Sequence, residues 1–226
     1  MQRTDLPAVW LEEFSSSVKY NEDKTGIPQD AWRSAGTRTK ANPNGEDLTW
    51  WQNNGLDQVN AYWDWLHSLP SNWKIATMPD GKPGIEWQTE VEFGGTMVKA
   101  VVDAIFEVDG ELVVIDFKSG RKTPFGVIQL ALYACAVERV YGVRPKWGGF
   151  YMTRKAEVEE LVDLKWWRTP YFDYCFSAMN NSIESGFFMP IVSDACNWAC
   201  TYNDQCVAVG GKESDNYPLH QIKEKP

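Results

Sequence analysis

The stretch that decides the fold is "VVDAIFEVDGELVVIDFKSG", residues 101–120. Two apolar runs flank an Asp-Gly dipeptide at 109–110, which is typical of a two-residue β-hairpin turn. Counting outward from that turn places Asp103 directly opposite Asp116. Residues that face each other across an antiparallel pair have Cβ atoms about 5 Å apart. The pattern therefore predicts a hairpin in which two carboxylates face each other.

The two faces of this hairpin differ in chemistry. Side chains alternate along a strand, so Lys118 lies on the same face as Asp116 and Asp103. Facing carboxylates repel each other unless something cationic lies between them, and hard divalent cations such as Mg²⁺ take oxygen ligands. The acidic face is thus either a metal site or a surface ion triad of two acids and a lysine. The opposite face is wholly apolar and predicts a core: Val98, Ala100, Val102, Ala104, Phe106, Val113, Ile115 and Phe117.

A second hairpin is predicted just before this one, at the Gly-Gly dipeptide of residues 94–95. A two-residue turn there places Glu86 opposite Asp103 and Glu90 opposite Lys99. Either glutamate could add a metal ligand to the acidic face. Glu90 could equally form a cross-strand ion pair with Lys99.

The rest of the chain predicts an α/β fold with a mixed central sheet flanked by helices. We expect one domain over 1–211, with a mostly helical part at 1–84, a sheet and helix at 85–155, a C-terminal helix and cysteine cluster at 156–211, and a polar tail at 212–226. The periodicity predicts helices over 6–20, 46–69, 123–142 and 170–186, strands over 85–93, 96–108, 111–119 and 146–155, and a polar loop over 21–47.

Composition limits the function. The 226 residues carry a net charge of −9, which argues against a non-specific coat of nucleic acid but allows a local basic channel or bound metal. We find no run of 18 apolar residues and no apolar leader, so we expect no membrane partner and a cytoplasmic location. In that compartment thiols stay reduced, and clustered cysteines are more often metal ligands than disulfides.

The hairpin and the following "QLALY" (129–133) resemble the RecB/Cas4-type branch of the PD-(D/E)XK nucleases. That branch has an Asp in a G-x-x-D strand, a D-x-K strand and a Q-x-x-x-Y helix. The resemblance implies a restriction-endonuclease-like core that uses Mg²⁺ or Mn²⁺. It implies the following roles: Asp103, Asp116 and the carbonyl of Phe117 as metal ligands, Lys118 as the catalytic lysine, and Gln129 and Tyr133 as a pair near the scissile phosphate. Residues four apart share a helix face, which fits that pair.

The resemblance covers residues 85–206 well and the N-terminal third poorly. "GEDLTWWQNNG" (45–55) and "GVRPKWGGFYMTRK" (142–155) are also similar to RecB-like exonucleases of actinobacteria and their phages. The family usually adds a metal-ligating His on an early helix. Here His67 is predicted to end a helix and His220 lies in the tail, so an acid could replace that ligand: Glu46, Asp57 or Glu86.

The tail carries cysteines in a C-x3-C-x5-C pattern at Cys196, Cys200 and Cys206. Several members of the branch end in C-x2-C-x5-C, and a further N-terminal cysteine completes a [4Fe–4S] cluster. This chain has no cysteine before Cys135, which is predicted to be a small core residue, as is Cys175. An iron–sulfur cluster without an identified fourth ligand, a zinc site and plain reduced thiols are all left open.

Taken together, the residues and the resemblance predict a metal-dependent DNA exonuclease acting on ends or single strands, with recombination or replication proteins as partners. The host compartment would be a bacterial or phage-infected cytoplasm. Basic side chains predicted to contact the DNA backbone are Lys99, Arg121, Lys122, Arg154 and Lys155. The alternatives are a catalytically idle nuclease-fold module that binds DNA or protein, and a Cas4-like spacer-processing subunit.

Overall fold

The structure is a computed structural model that describes residues 2–32, 34–36, 38–40, 42–186, 193, 196, 200, 202–206 and 209–213. The chain divides into two compact units. The first comprises Met1–Val91 and Lys99–Arg168, and the second comprises Glu92–Val98 and Thr169–Pro226. One domain over 1–211 stays a prediction.

The centre of the fold is a seven-stranded mixed sheet. Its strands are β1 (Trp73–Ile75), β2 (Ile85–Phe93), β3 (Thr96–Val108), β4 (Glu111–Lys118), β5 (Trp147–Met152), β6 (Glu157–Val158) and β7 (Val162–Asp163). Strand β3 pairs antiparallel with β1 and β4, and it also pairs with β2. Strand β5 lies parallel to β4 and antiparallel to β6 and β7. The predicted mixed sheet is confirmed.

The helices are α1 (Leu6–Thr25), α2 (Leu48–Ser68), α3 (Ile128–Tyr141) and α4 (Thr169–Ser185). Helix α2 begins after Asp47, whose carboxylate accepts a 2.8 Å hydrogen bond from the Trp50 amide. Helix α3 ends at Gly142, which takes the left-handed conformation that a glycine adopts at little cost. No helix among the described residues is long and apolar enough to cross a membrane.

The predicted register of the β3–β4 hairpin is confirmed from the turn outward. Val108 pairs with Glu111, and the ladder continues to Ala104 opposite Ile115. The turn residues Asp109 and Gly110 have φ angles of 52° and 81°, as a type I′ turn requires. The pair that follows Ala104 and Ile115 in this register is the two predicted acids.

Helices cover both faces of the sheet in the first unit. The predicted apolar face of the hairpin joins a buried cluster with Tyr151, and Tyr62, Trp65 and Leu66 of α2 pack against it. Helix α3 lies on the other face, where an added Cβ on Gly148 would lie 3.2 Å from the Cβ of Leu130. The glycine thus lets α3 approach β5 closely, which positions that helix beside the end of β4.

Several predicted bounds were wrong. Helix α1 continues to Thr25, so the predicted loop begins later, and α3 begins at Ile128 rather than at residue 123. Pro124 and Gly126 are poor helix formers, which explains the late start. The short strands β1, β6 and β7 were missed, because two or three residues carry too little pattern to identify a strand.

In the second unit, α4 holds the turn at residues 94–95. The Gly94 amide donates to the Asp173 carboxylate at 2.9 Å, and the Ser177 hydroxyl donates to the Gly94 carbonyl at 2.9 Å. Gly94 has a φ of 55°, and a Cβ there would lie 2.0 Å from the Asp173 carbonyl oxygen. Only glycine fits this position, which ties the observed turn to one residue type.

Candidate active site

Asp116 lies at the carboxyl end of β4 and is 1% exposed. Its Oδ2 lies 2.6 Å from the Lys118 Nζ, yet that oxygen has no well-directed hydrogen bond within the described part of the chain. The contact is therefore an ion pair defined by its short distance and not by hydrogen-bond geometry. A buried carboxylate oxygen without a hydrogen bond is costly, and it can be stabilised by a further cation.

Asp103 lies across the hairpin from Asp116 but turns one oxygen to the backbone. Its Oδ2 accepts a 2.6 Å hydrogen bond from the Phe117 amide. Burial raises the pKa of Asp116, the nearby Lys118 partly lowers it, and the charge of Asp103 raises it again. The charge of Asp103 thus disfavours ionisation of Asp116, as the facing register predicts.

A hydrogen-bonded row runs from this ion pair onto α3. The Lys118 Nζ donates to Gln129 Oε1 at 2.9 Å, and the Gln129 Nε2 donates to the Tyr133 hydroxyl at 2.8 Å. Gln129 and Tyr133 lie one helical turn apart, so one face of α3 presents both groups to the end of β4. The contact between Lys118 and Gln129 could not be predicted from the sequence pattern alone.

The Tyr133 hydroxyl keeps its proton at neutral pH. Burial raises its pKa, the hydrogen bond from Gln129 lowers it, and the charges of Asp116, Asp103 and Glu86 raise it. The charges of three carboxylates therefore act on one phenol. A neutral hydroxyl can donate a hydrogen bond to an anionic group.

Glu86 is better placed than Glu90 to take part in the site. Burial and the charge of Asp103 raise the pKa of Glu86. Its φ of 47° is unusual for a residue other than glycine, and such strain clusters at functional sites. The Gly84 carbonyl accepts from the Ile105 amide at 2.7 Å, which fits the predicted pairing of these strands. Glu90 is exposed.

The donor set fits a hard cation in part. Asp103 and Asp116 offer carboxylate oxygens, and Oδ2 of Asp116, beside Lys118, lacks a well-directed hydrogen bond. Mg²⁺ commonly takes one or two carboxylates and completes its shell with water and phosphate. Within the described ranges, however, no three His, Cys, Asp or Glu side chains gather closely enough to form a metal group.

A second buried carboxylate, Glu46, was considered above as a metal ligand, and the structure gives it different partners. Its Oε1 lies 2.9 Å from Arg121 Nη2, and its Oε2 lies 2.7 Å from Arg154 Nη2. Hydrogen bonding from Arg154 is the main cause that lowers the pKa of Glu46, with Arg121 adding to it and burial opposing it. The Arg154 Nε also donates to the Ser119 carbonyl at 2.6 Å. Glu46 thus anchors the chain just after Lys118.

The other predicted ligands and basic residues are placed as follows. Asp57 is exposed, and His67 stacks on Trp63 at 4.1 Å near the end of α2, as predicted. Lys155 pairs with Glu159, and Lys99 and Lys122 are exposed. His220 lies outside the described residues. Of the predicted backbone contacts, Arg121 and Arg154 are thus already engaged by Glu46.

The cysteines give a mixed result. Cys135 is fully buried in α3, which confirms it as a small core residue, and Cys175 is partly buried. Cys200 and Cys206 carry free thiols, and Cys196 is partly buried. The parts of the tail that the structure describes contain no metal-binding group, so an iron–sulfur or zinc site stays a prediction.

The sequence has relatives among phage proteins. The "Gene 69 protein" of Mycobacterium phage D29 is 31% identical over 216 residues, covering 88% of this chain and 78% of that protein. The "Gene 69 protein" of Mycobacterium phage L5 is 34% identical over 131 residues, covering 55% of this chain and 44% of that protein. A solved structure described as "Crystal structure of SSO0001" covers 92% of this chain at 12% identity, with a TM-score of 0.37, too low to carry an argument.

A family profile described as the PD-(D/E)XK nuclease superfamily matches residues 10–207. That match spans the sheet, α3 and the end of β4. It indicates a nuclease, and so a hydrolase of phosphodiester bonds in a class that generally uses Mg²⁺ or Mn²⁺. The chain belongs to the PD-(D/E)XK nuclease superfamily.

Proposed function

We propose that this chain is a Mg²⁺- or Mn²⁺-dependent DNA nuclease that degrades DNA from ends or as single strands. The observation that carries the proposal is the row from Asp116 through Lys118 and Gln129 to Tyr133. In it, a buried acid, an ammonium, an amide and a phenol meet beside a second acid. Such a row offers both a cation site and donors for a phosphate.

In this proposal Asp103, Asp116 and the Phe117 carbonyl would hold the metal, which, when bound, supplies a Lewis acid and an activated water. The Lys118 ammonium, held between Asp116 and Gln129, donates to the attacking water or to a nonbridging phosphate oxygen. Gln129 fixes the direction of that ammonium. The neutral Tyr133 hydroxyl donates to the phosphate on the α3 side.

The preference for ends or single strands follows from the net charge of the chain and from the aromatic side chains near the site. A net charge of −9 gives little general attraction to duplex backbone. Aromatic side chains near the site can instead stack on unpaired bases, which are exposed only in single strands and at frayed ends. Such a substrate also suits work beside recombination, repair or replication proteins.

The test compares three DNA forms with Mn²⁺: linear duplex, single strand and covalently closed circle. We expect end-labelled linear DNA and single strands to be cut, and the closed circle to survive. Separate 5′ and 3′ labels give the polarity. Asp116→Ala and Lys118→Ala should abolish cutting while binding to the same DNA is retained, and a circle cut as fast as linear DNA would contradict the exonuclease.

A second function keeps some support. The described residues hold no three-ligand metal group, and the described histidine, His67, stacks on Trp63. A nuclease fold that binds DNA or protein without cutting would show equal behaviour for the wild type and both alanine variants in the same assay.

A further inference from the structure

A cavity of about 260 Å³ opens on the face of the sheet opposite the acids. Five aromatic side chains line it, and we call it the aromatic slot: Trp10, Trp51, Tyr62, Phe117 and Tyr151. Tyr62 contacts Phe117 and Tyr151 edge to face, with ring centroids 5.2 and 5.4 Å apart. Its exposed surface is almost entirely apolar.

The slot is preformed by the packing of α1 on α2. Trp10 lies against Gly55, where an added Cβ would be 2.2 Å from the indole ring. The Trp10 Nε1–H donates to the Gln52 carbonyl at 2.9 Å, which fixes the ring plane. A glycine in mid-helix costs stability, and here it makes room for this ring.

The slot and the acidic row share one strand end. Phe117 and Ser119 line the slot, and Lys118 lies between them with its side chain on the opposite face. Consecutive Cα atoms are about 3.8 Å apart, so the slot begins within one residue of the Lys118 backbone, while the ammonium lies on the other face of the sheet. A nucleic-acid strand that crosses this edge meets both features.

An arginine lies at the rim of the slot. Arg154 lies over the Trp51 ring at 5.3 Å and donates to Ser119, and both of those residues line the slot. Arg154 and Arg121 share one carboxylate, Glu46, so these three side chains together carry one net positive charge. An apolar aromatic floor with a cationic rim matches a base attached to its phosphate.

We propose that the aromatic slot holds a single unstacked nucleobase of the strand being cut, an inference that rests on the proposed nuclease function. The cavity lies just below the ~300 Å³ at which small-molecule sites begin, so it suits one base rather than a base pair. Stacking accepts any base, because every base has a π face. The Gln58 amide, which accepts from Thr153, can donate its N–H groups to a base edge.

The test is an abasic scan. Single-stranded oligonucleotides, each lacking one base at a different position, are bound in Ca²⁺ to the wild type, to Val59→Phe and to Trp166→Ala. Val59 lines the slot, and the larger ring fills it. Trp166 is 80% exposed and does not line the slot, so it is the matched control. If Val59→Phe does not fold by circular dichroism, Trp51→Ala takes its place.

We expect one position at which base removal weakens wild-type binding by about five- to 150-fold. Trp166→Ala keeps this sensitivity and Val59→Phe loses it. No sensitive position, or equal sensitivity in Val59→Phe, overturns the slot. If the wild type binds DNA with one base-sensitive position but cuts no DNA in Mn²⁺, the slot proposal stands and the nuclease proposal is overturned. A wild type that binds no nucleic acid overturns both. A changed oligomeric state in Val59→Phe with unchanged abasic sensitivity assigns the slot to protein contact instead.

Discussion

Two acidic side chains are buried among the described residues, Asp116 at 1% and Glu46 at 5% exposure, and they differ in their partners and in the direction of their pKa shifts. Glu46 has both oxygens paired with arginines, and its pKa is lowered. Asp116 has one oxygen that lies 2.6 Å from the Lys118 ammonium without a well-directed hydrogen bond, and burial raises its pKa. Burial alone therefore does not mark a reactive acid.

The difference teaches how to separate an anchoring carboxylate from a candidate ligand. A buried charge whose partners are complete stabilises the fold and has nothing left to offer a substrate. A buried charge with incomplete partners is unfavourable in isolation and becomes favourable when a cation or a ligand arrives. Both types occur within reach of Lys118, since Glu46 fixes the strand end through Arg154 and Ser119.

The largest expected effect is on activity, and it tests whether the two buried acids have different roles. Asp116→Asn should lower kcat on single-stranded DNA by at least about 100-fold, because it removes a charge that the metal and Lys118 both need. Glu46→Gln should lower kcat by less than about tenfold, because the amide still occupies the position between the two arginines. Single-turnover cleavage in Mn²⁺ measures both. Equal losses in the two variants would contradict the division of roles.

The next prediction concerns stability, where Glu46→Gln should lose more than Asp116→Asn does. Glu46→Gln leaves Arg154 without its buried charged partner, which should cost about 1–3 kcal/mol. For a chain of this size each kcal/mol lowers the Tm by about 2–4 °C. Thermal unfolding followed by circular dichroism measures the change. Asp64→Asn is the matched control, because the Arg3–Asp64 pair is exposed and its loss should lower the Tm less than Glu46→Gln does.

The sequence predicted one of these two regions and not the other. The Asp-Gly turn fixes the β3–β4 register, so Asp103, Asp116 and Lys118 could be assigned to one face from spacing alone. The partners of Glu46 lie 75 and 108 residues away in sequence, and no local pattern links such distances. The aromatic slot was also beyond sequence reasoning, because its walls come from α1, α2, β4 and β5. Periodicity identifies elements, whereas tertiary packing decides which of their side chains meet.

The pH dependence of stability should also separate the two acids. The lowered pKa of Glu46 means that its stabilisation is present above its unfolded pKa and is lost as pH falls through the folded pKa. The raised pKa of Asp116 means the reverse, since its ionisation opposes folding as pH rises above its unfolded value near 3.8. In EDTA, Asp116→Asn should therefore raise the Tm at neutral pH, and Glu46→Gln should lower it.

As the pH falls toward the acid range, the Tm increase of Asp116→Asn and the Tm decrease of Glu46→Gln should both shrink. Differential scanning calorimetry at a series of pH values measures them. A stabilised Glu46→Gln, or an Asp116→Asn variant that loses stability in EDTA at neutral pH, would reverse the assignment. Mn²⁺ adds an internal check, because it should raise the Tm of the wild type more than that of Asp116→Asn.

The smallest expected effect is at Tyr133, the last residue of the row that runs from Asp116 through Lys118 and Gln129. Tyr133→Phe removes the hydroxyl that accepts from Gln129 but leaves the Gln129–Lys118 hydrogen bond in place. One neutral hydrogen bond contributes about 0.5–1.5 kcal/mol, so kcat should fall by about two- to tenfold with little change in KM. Gln129→Leu should have a larger effect, because it also frees the Lys118 ammonium. If Tyr133→Phe were as inactive as Asp116→Asn, the phenol would have to act on the reacting atoms directly rather than by donating one hydrogen bond to the phosphate.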